Sequence, residues 1–202
     1  MILNYNEKFL KEIKLKTLLD IFFWSELRQK YDIDIFDFYS FFITPFHKSI
    51  DTENSITTKI LANIPNQIVV FNFLAERNAL LLSIKAITKQ NGRIKLKNTF
   101  IEPLNNFSKL GVSIAVLMYV SNSKNFFYLD TPINIIQNSN IVYDKKKKIK
   151  FYELNPENIL KMEEFLEINY GIESNLTSKI IQNLITEIEK NNYFEILKAN
   201  KS

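Results

Sequence analysis

The sequence predicts an α+β fold, mainly α-helical, with a small antiparallel sheet in which a winged-helix-like element fits. Three observations carry this. Apolar residues recur at gaps of three and four along the first segment, which is the helical period. Asn155-Pro156-Glu157 joins a cap, an N1 proline and an acidic first turn, a strong helix start. Between Asn125 and Leu154, short β-prone stretches flank a run of lysines. The 202 residues suit one domain, with a mainly helical part over 1–121, a β-rich hairpin region over 122–154 and C-terminal helices over 155–202.

Element by element, Glu7 to Tyr31 places Leu15, Leu18, Leu19, Phe22, Phe23, Leu27 and Tyr31 on one helical stripe, with Lys11, Lys14, Lys16 and Glu26 outside it. Ile35 to Phe46 is almost wholly apolar, a pattern shared by buried helices and buried strands. Asp34 as cap and Asp37 in the first turn lean it towards helix, ending at Pro45. Ser55 caps a short helix through Ile60 and Leu61. Asn66 to Gln90 is long enough for one buried helix, or two joined near Glu76–Asn78, with Gly92 at the C-terminal position. Arg93 to Phe100 alternates like a half-exposed strand. Pro103 then opens a helix with Leu104, Phe107, Leu110, Ile114, Leu117 and Met118 on one face. Phe126–Leu129 and Ile133–Ile136 read as short strands, and Ile141–Tyr143 with Ile149–Tyr152 as a hairpin with a lysine tip. The last helices end at Gly171 and run from Thr177 to Leu197.

Composition narrows the chemistry. Three Gly cannot build a phosphate-cradling loop, and neither of the two glycine-rich nucleotide-binding motifs occurs. Zero Cys excludes disulfides and thiolate chemistry, and His47 is the one imidazole. The N-terminus lacks a secretory apolar core, and the longest apolar run, Gly111 to Val120, is half of a membrane span. A cytoplasmic protein with no membrane contact is expected. The net charge of +4 is uneven: residues 51–100 and 101–150 each carry 7 basic against 3 acidic groups, and residues 151–202 carry 5 against 9.

Four groups of residues invite a functional reading. Asp32, Asp34 and Asp37 can hold Mg²⁺ beside Lys95 or Lys97, or simply supply a cap and first-turn charge; the second reading is preferred, so no metal site is expected. His47 has neither an orienting carboxylate nor a nucleophile beside it in sequence, and the end of a helix is its ordinary place. Lys145, Lys146, Lys147, Lys148 and Lys150 sit where a wing would meet phosphate, and Arg93, Lys95 and Lys97 extend that patch. Glu76-Arg77 is either a surface break between two helices or a pair at a partner interface, since burying both charges unpaired is costly. No catalytic set and no cofactor site is visible, so the chain is expected not to be an enzyme.

Residues 17–97 also carry a resemblance. Trp24-Ser25-Glu26-Leu27 with Tyr31, then Phe41-Phe42-Ile43-Thr44-Pro45-Phe46-His47-Lys48, then Arg77-Asn78-Ala79-Leu80-Leu81 followed by Asn91-Gly92-Arg93, stand in that order. This resembles the middle component of three-component ABC systems, which includes the accessory subunit of Lamassu-type anti-phage defence. The resemblance implies a non-catalytic adaptor joining an SMC-like or ABC-type ATPase to an effector, often a nuclease, with DNA reached through the complex. The alternative is a stand-alone winged-helix protein that binds nucleic acid through its lysine tip.

Overall fold

The computed structural model describes residues 7–37, 66–121, 126–144 and 148–190. The chain opens with α1 (Glu7–Leu18), a π-helical turn (Leu19–Trp24) and α2 (Ser25–Arg28), which run on without a break. The wider π turn shifts the helical phase, and both neighbours Phe23 and Trp24 are buried as a result, their rings edge to face at 4.8 Å. The helix expected over Glu7–Tyr31 is therefore present.

Beyond α2 the chain builds a sheet rather than further helices. The strands β1 (Ile33–Asp37), β2 (Asn66–Phe71) and β3 (Asn78–Ile87) form an antiparallel meander. A turn at Asn91 and Gly92, with φ of 51° and 73°, leads into β4 (Ile94–Lys97). Gln90 and Arg93 exchange backbone bonds of 2.9 and 3.0 Å across it, as a two-residue hairpin with both central φ positive requires. After α3 (Asn98–Lys109), β5 (Ile114–Val120) returns parallel to β3, and β6 (Phe127–Asp130) closes the five-stranded order β1-β2-β3-β5-β6. A short α4 (Pro132–Gln137) precedes the hairpin of β7 (Ser139–Asp144) and β8 (Ile149–Leu154), which joins β4 in a three-stranded sheet ordered β4-β8-β7. The helices α5 (Met162–Tyr170) and α6 (Ser174–Lys190) complete the described chain.

The large sheet separates two cores. On one face Val69, Phe71, Leu80, Leu82, Ile84, Leu117 and Leu129 pack with residues of the N-terminal helix, α5 and α6. On the other, Leu81, Ile114, Val116 and Met118 pack with Ile101 and Leu104 of α3 and with Ile94, Leu96, Tyr152 and Leu154 of the small sheet. A strand covered on both faces has no polar side to display, so it reads as an unbroken apolar run.

That double coverage corrects the expected class. The protein is α/β, not mainly helical, and the small sheet packs beneath α3 rather than serving as the wing of a helical domain. Asn66 to Gln90 forms β2 and β3, not helices; Glu76 and Arg77 lie exposed in the loop between them. Ile35 lies in a strand, so Asp34 caps nothing. The helix opened at Pro103 instead begins at Asn98 and ends at Lys109; Gly111, at φ +87°, separates it from β5. Ile133–Ile136 is helical because Pro132 sits in the first turn and the Thr131 Oγ accepts from the Asn134 N–H at 3.3 Å. Asn155 caps a 3₁₀ turn, and α5 starts only at Met162. The β7–β8 hairpin and the left-handed stop at Gly171 agree with the sequence pattern. The expected helix at Ser55, His47 and its loop, and any helix beyond Lys190 lie outside the described residues.

Candidate functional site

The parallel pair β3 and β5 ends where β2 begins, and open α/β sheets bind ligands in the crevice outside such carboxyl ends. There the apolar face under α3 turns polar. Ser83 and Asn66 oppose each other directly in the β2–β3 register, and the Ser83 hydroxyl donates to the Asn66 side-chain oxygen at 2.7 Å. Both are buried. Two residues on, alternation returns Lys85 to the same face. Its ammonium lies 3.2 Å from each carboxylate oxygen of Glu12, contributed by α1, and 4.7 Å from the centroid of the Phe100 ring on α3. The Glu12 side chain is 2% exposed and that of Lys85 14%.

The opposite face is polar at the same level. Gln67, next to Asn66, accepts from the Trp24 indole at 3.3 Å and donates to Asp20 at 2.6 Å; Asp20 in turn meets Lys16 at 3.4 Å. Glu12, Lys16 and Asp20 all stand on the N-terminal helix, so that helix supplies charge to both faces of this sheet end. Farther along the row of Asn66, Ser83 and Val116 stands Asp130, opposite Val116. It accepts from the Asn134 amide at 3.0 Å and the Thr131 N–H at 2.8 Å, and burial pushes its carboxyl above the usual range.

The residues singled out from the sequence lie elsewhere. Lys95 and Lys97 alternate on the outer face of the small sheet, where Lys95 meets Glu153 at 3.1 Å. Lys150 is on the other face, over the Tyr152 ring at 5.5 Å and 3.4 Å from Glu102. Arg93 is exposed at the β3–β4 turn, and Lys148 follows the hairpin tip at φ 52°. Lys145, Lys146 and Lys147 lie outside the described residues. Lys95 and Lys150 are thus not brought onto one face, and each already has a carboxylate.

Asn72 donates to Asp34 at 2.9 Å and to Asp32 at 3.3 Å, and the Arg77 guanidinium donates to the Asn72 side-chain oxygen at 2.8 Å. Among the described residues, no three His, Cys, Asp or Glu side chains gather as a metal site would require. No described helix is long and apolar enough to cross a membrane.

Sequence reasoning passed over Glu12, Asn66, Ser83 and Lys85. The available signal was Lys85 itself, a cation within the apolar run Leu80–Ile87 that needs a buried partner.

No family model matches this chain, and no curated protein matches it. Among solved structures it is similar to Hjc, a Holliday junction resolvase from Archaeoglobus fulgidus, with a TM-score of 0.30 and 12% identity over 49% of this chain and 70% of that chain. That neighbour is named as a resolvase, and the expectation that this chain is not an enzyme is not carried further. At that TM-score the likeness assigns no activity.

Proposed function

We propose that this chain binds the phosphodiester backbone of nucleic acid at the polar end of the β3–β5 pair, with Lys85 as the cation that meets phosphate. The observation that carries this reading is the set of Glu12, Lys85, Ser83 and Asn66 on a sheet face whose other buried residues, Asp130 apart, are apolar. Apolar residues of similar volume would hold the fold as well or better than a buried ion pair, so stability gives little reason for the pair. A lysine already paired with a carboxylate can share that pairing with a phosphate. The excess of basic residues over 51–150 favours polyanions at a distance.

The test is fluorescence anisotropy with duplex and single-stranded DNA and RNA at graded salt, on the wild type and on the paired Glu12→Leu, Lys85→Met variant. Binding should weaken with salt, and the paired variant should lose at least tenfold in affinity while its far-ultraviolet circular dichroism is unchanged. Equal affinity in the two proteins would overturn the reading.

We propose further that this binding serves an adaptor subunit beside an SMC-like or ABC-type ATPase and an effector nuclease. The support is the resemblance over residues 17–97, together with the exposed apolar pair Leu110 and Val112 after α3, a feature that docking surfaces use. Co-expression of the tagged chain with its chromosomal neighbours tests it. A stable assembly containing an ATPase is expected, and a lone folded species would refute the adaptor role without touching the reading of Lys85.

A further inference from the structure

We propose that two copies of this chain pair through β7, antiparallel about a two-fold axis at Val142, making a continuous six-stranded sheet from two three-stranded ones. In the order β4-β8-β7, β7 is an edge, and among the described residues no strand pairs with its outer side. Edge strands are usually blunted by lysine, proline or a bulge. Ser139-Asn140-Ile141-Val142-Tyr143-Asp144 contains none of these and pairs with β8 in unbroken register. Its two largest apolar side chains are solvated, Ile141 at 62% and Tyr143 at 57% exposure. They share one face, because they oppose Tyr152 and Lys150 of β8.

The strand complements itself in one register. With Val142 opposite its own copy, Ile141 of each chain faces Tyr143 of the other, and Asn140 faces Asp144. Each face keeps to its own side, as antiparallel pairing demands, and the aliphatic–aromatic cross-strand pair is a favourable one. Both solvated apolar residues of both copies are covered at once.

Charge selects the same arrangement. Lys148 follows β7 at the hairpin tip. Lys148 precedes Ile149, which pairs with Asp144, so it lies about three residue steps from Val142, and antiparallel pairing sends its two copies to opposite ends, roughly 20 Å apart at about 3.4 Å per residue, more than twice the screening length of about 8 Å. A parallel pair would set them side by side. No like charges oppose each other in the antiparallel register.

The experiment is sedimentation equilibrium of the full chain through the micromolar range at physiological salt, on the wild type, Ile141→Lys, Tyr143→Glu and the two combined. Wild type should show a concentration-dependent dimer, and each single substitution should weaken it at least tenfold. The combined variant should recover, because the two changed positions face each other across the axis and opposite charges meet twice. A monomer at every concentration, a dimer indifferent to the single changes, or a combined variant no better than the singles would overturn the proposal. Amide exchange on the unmutated chain gives an independent reading. Exchange in Ser139–Asp144 should slow as concentration rises, and concentration-independent exchange there would also overturn it.

Discussion

Replacing Lys85 with Met strips a carboxylate that is 2% exposed of the ammonium lying 3.2 Å from both its oxygens. At that separation, and with an effective dielectric of about 20, the gross attraction is about 5 kcal/mol. Breaking a buried pair from one side typically costs ~3–5 kcal/mol, a large share of the ~5–15 kcal/mol that separates folded from unfolded chains. Removing the other partner, Glu12→Leu, should cost less, roughly 1–3 kcal/mol, because the flexible lysine stem can carry its charge towards water. With both substitutions the pair is gone and apolar volume fills its place, so stability should return to within about 1 kcal/mol of wild type or exceed it. Urea unfolding followed by circular dichroism reads this directly. With a slope of about 2 kcal/mol per molar, Lys85→Met should lower the midpoint by roughly 2 M. If both single variants lose under about 1 kcal/mol, or the double loses as much as the worse single, the pair is not buried and coupled as described.

Two further perturbations probe other sites. Burial raises the folded-state pKa of Asp130, so in the window just above its ordinary value the native state holds more protons than the unfolded one, and stability falls as pH rises through that window. Asp130→Asn keeps an oxygen for Thr131 and should remove this slope in the window that begins at the ordinary carboxylate value; an unchanged pH profile would contradict the assignment. Gly171 ends α5 at φ +66° with nothing within 4 Å of an added Cβ, so Gly171→Ala should cost only the left-handed penalty of about 1–2 kcal/mol. Thermal melting should show that as a fall of roughly 2–8 °C, and no fall would mean the helix ends otherwise.

The N-terminal helix was legible because it buries one stripe: Leu15, Leu18, Leu19, Phe23 and Leu27 face the core while Lys11 and Lys14 do not. The hairpin at β7 and β8 was legible for the complementary reason, an exposed strand alternating against a half-buried one. The strands β2, β3 and β5 were not, since the two cores take Leu80 and Leu81, or Val116 and Leu117, from opposite sides, and periodicity vanishes. The same loss produced a helical stripe from Leu104 to Met118 that crosses a positive-φ glycine. Thr131-Pro132 did carry a helix signal that the β-prone isoleucines after it masked. The buried polar set escaped because its members are far apart in the chain: Glu12 meets Lys85 only once α1 lies against β3, and Asn66 meets Ser83 only through the strand register. Each looks ordinary alone.

The small sheet also sets an order of events during synthesis. Lys97 ends β4, yet its neighbour in the sheet begins at Ile149. At roughly 5–20 residues per second a ribosome needs about 3–10 s to make the intervening stretch. Throughout that time Ile94 and Leu96 have no strand to pair with, although β3 is already made and β5 arrives before β8. The five-stranded layer can therefore assemble first, leaving β4 a waiting edge whose backbone invites passing strands. The alternating lysines Lys95 and Lys97 stand on that edge, and their charge guards the nascent chain for the seconds before Glu153 arrives.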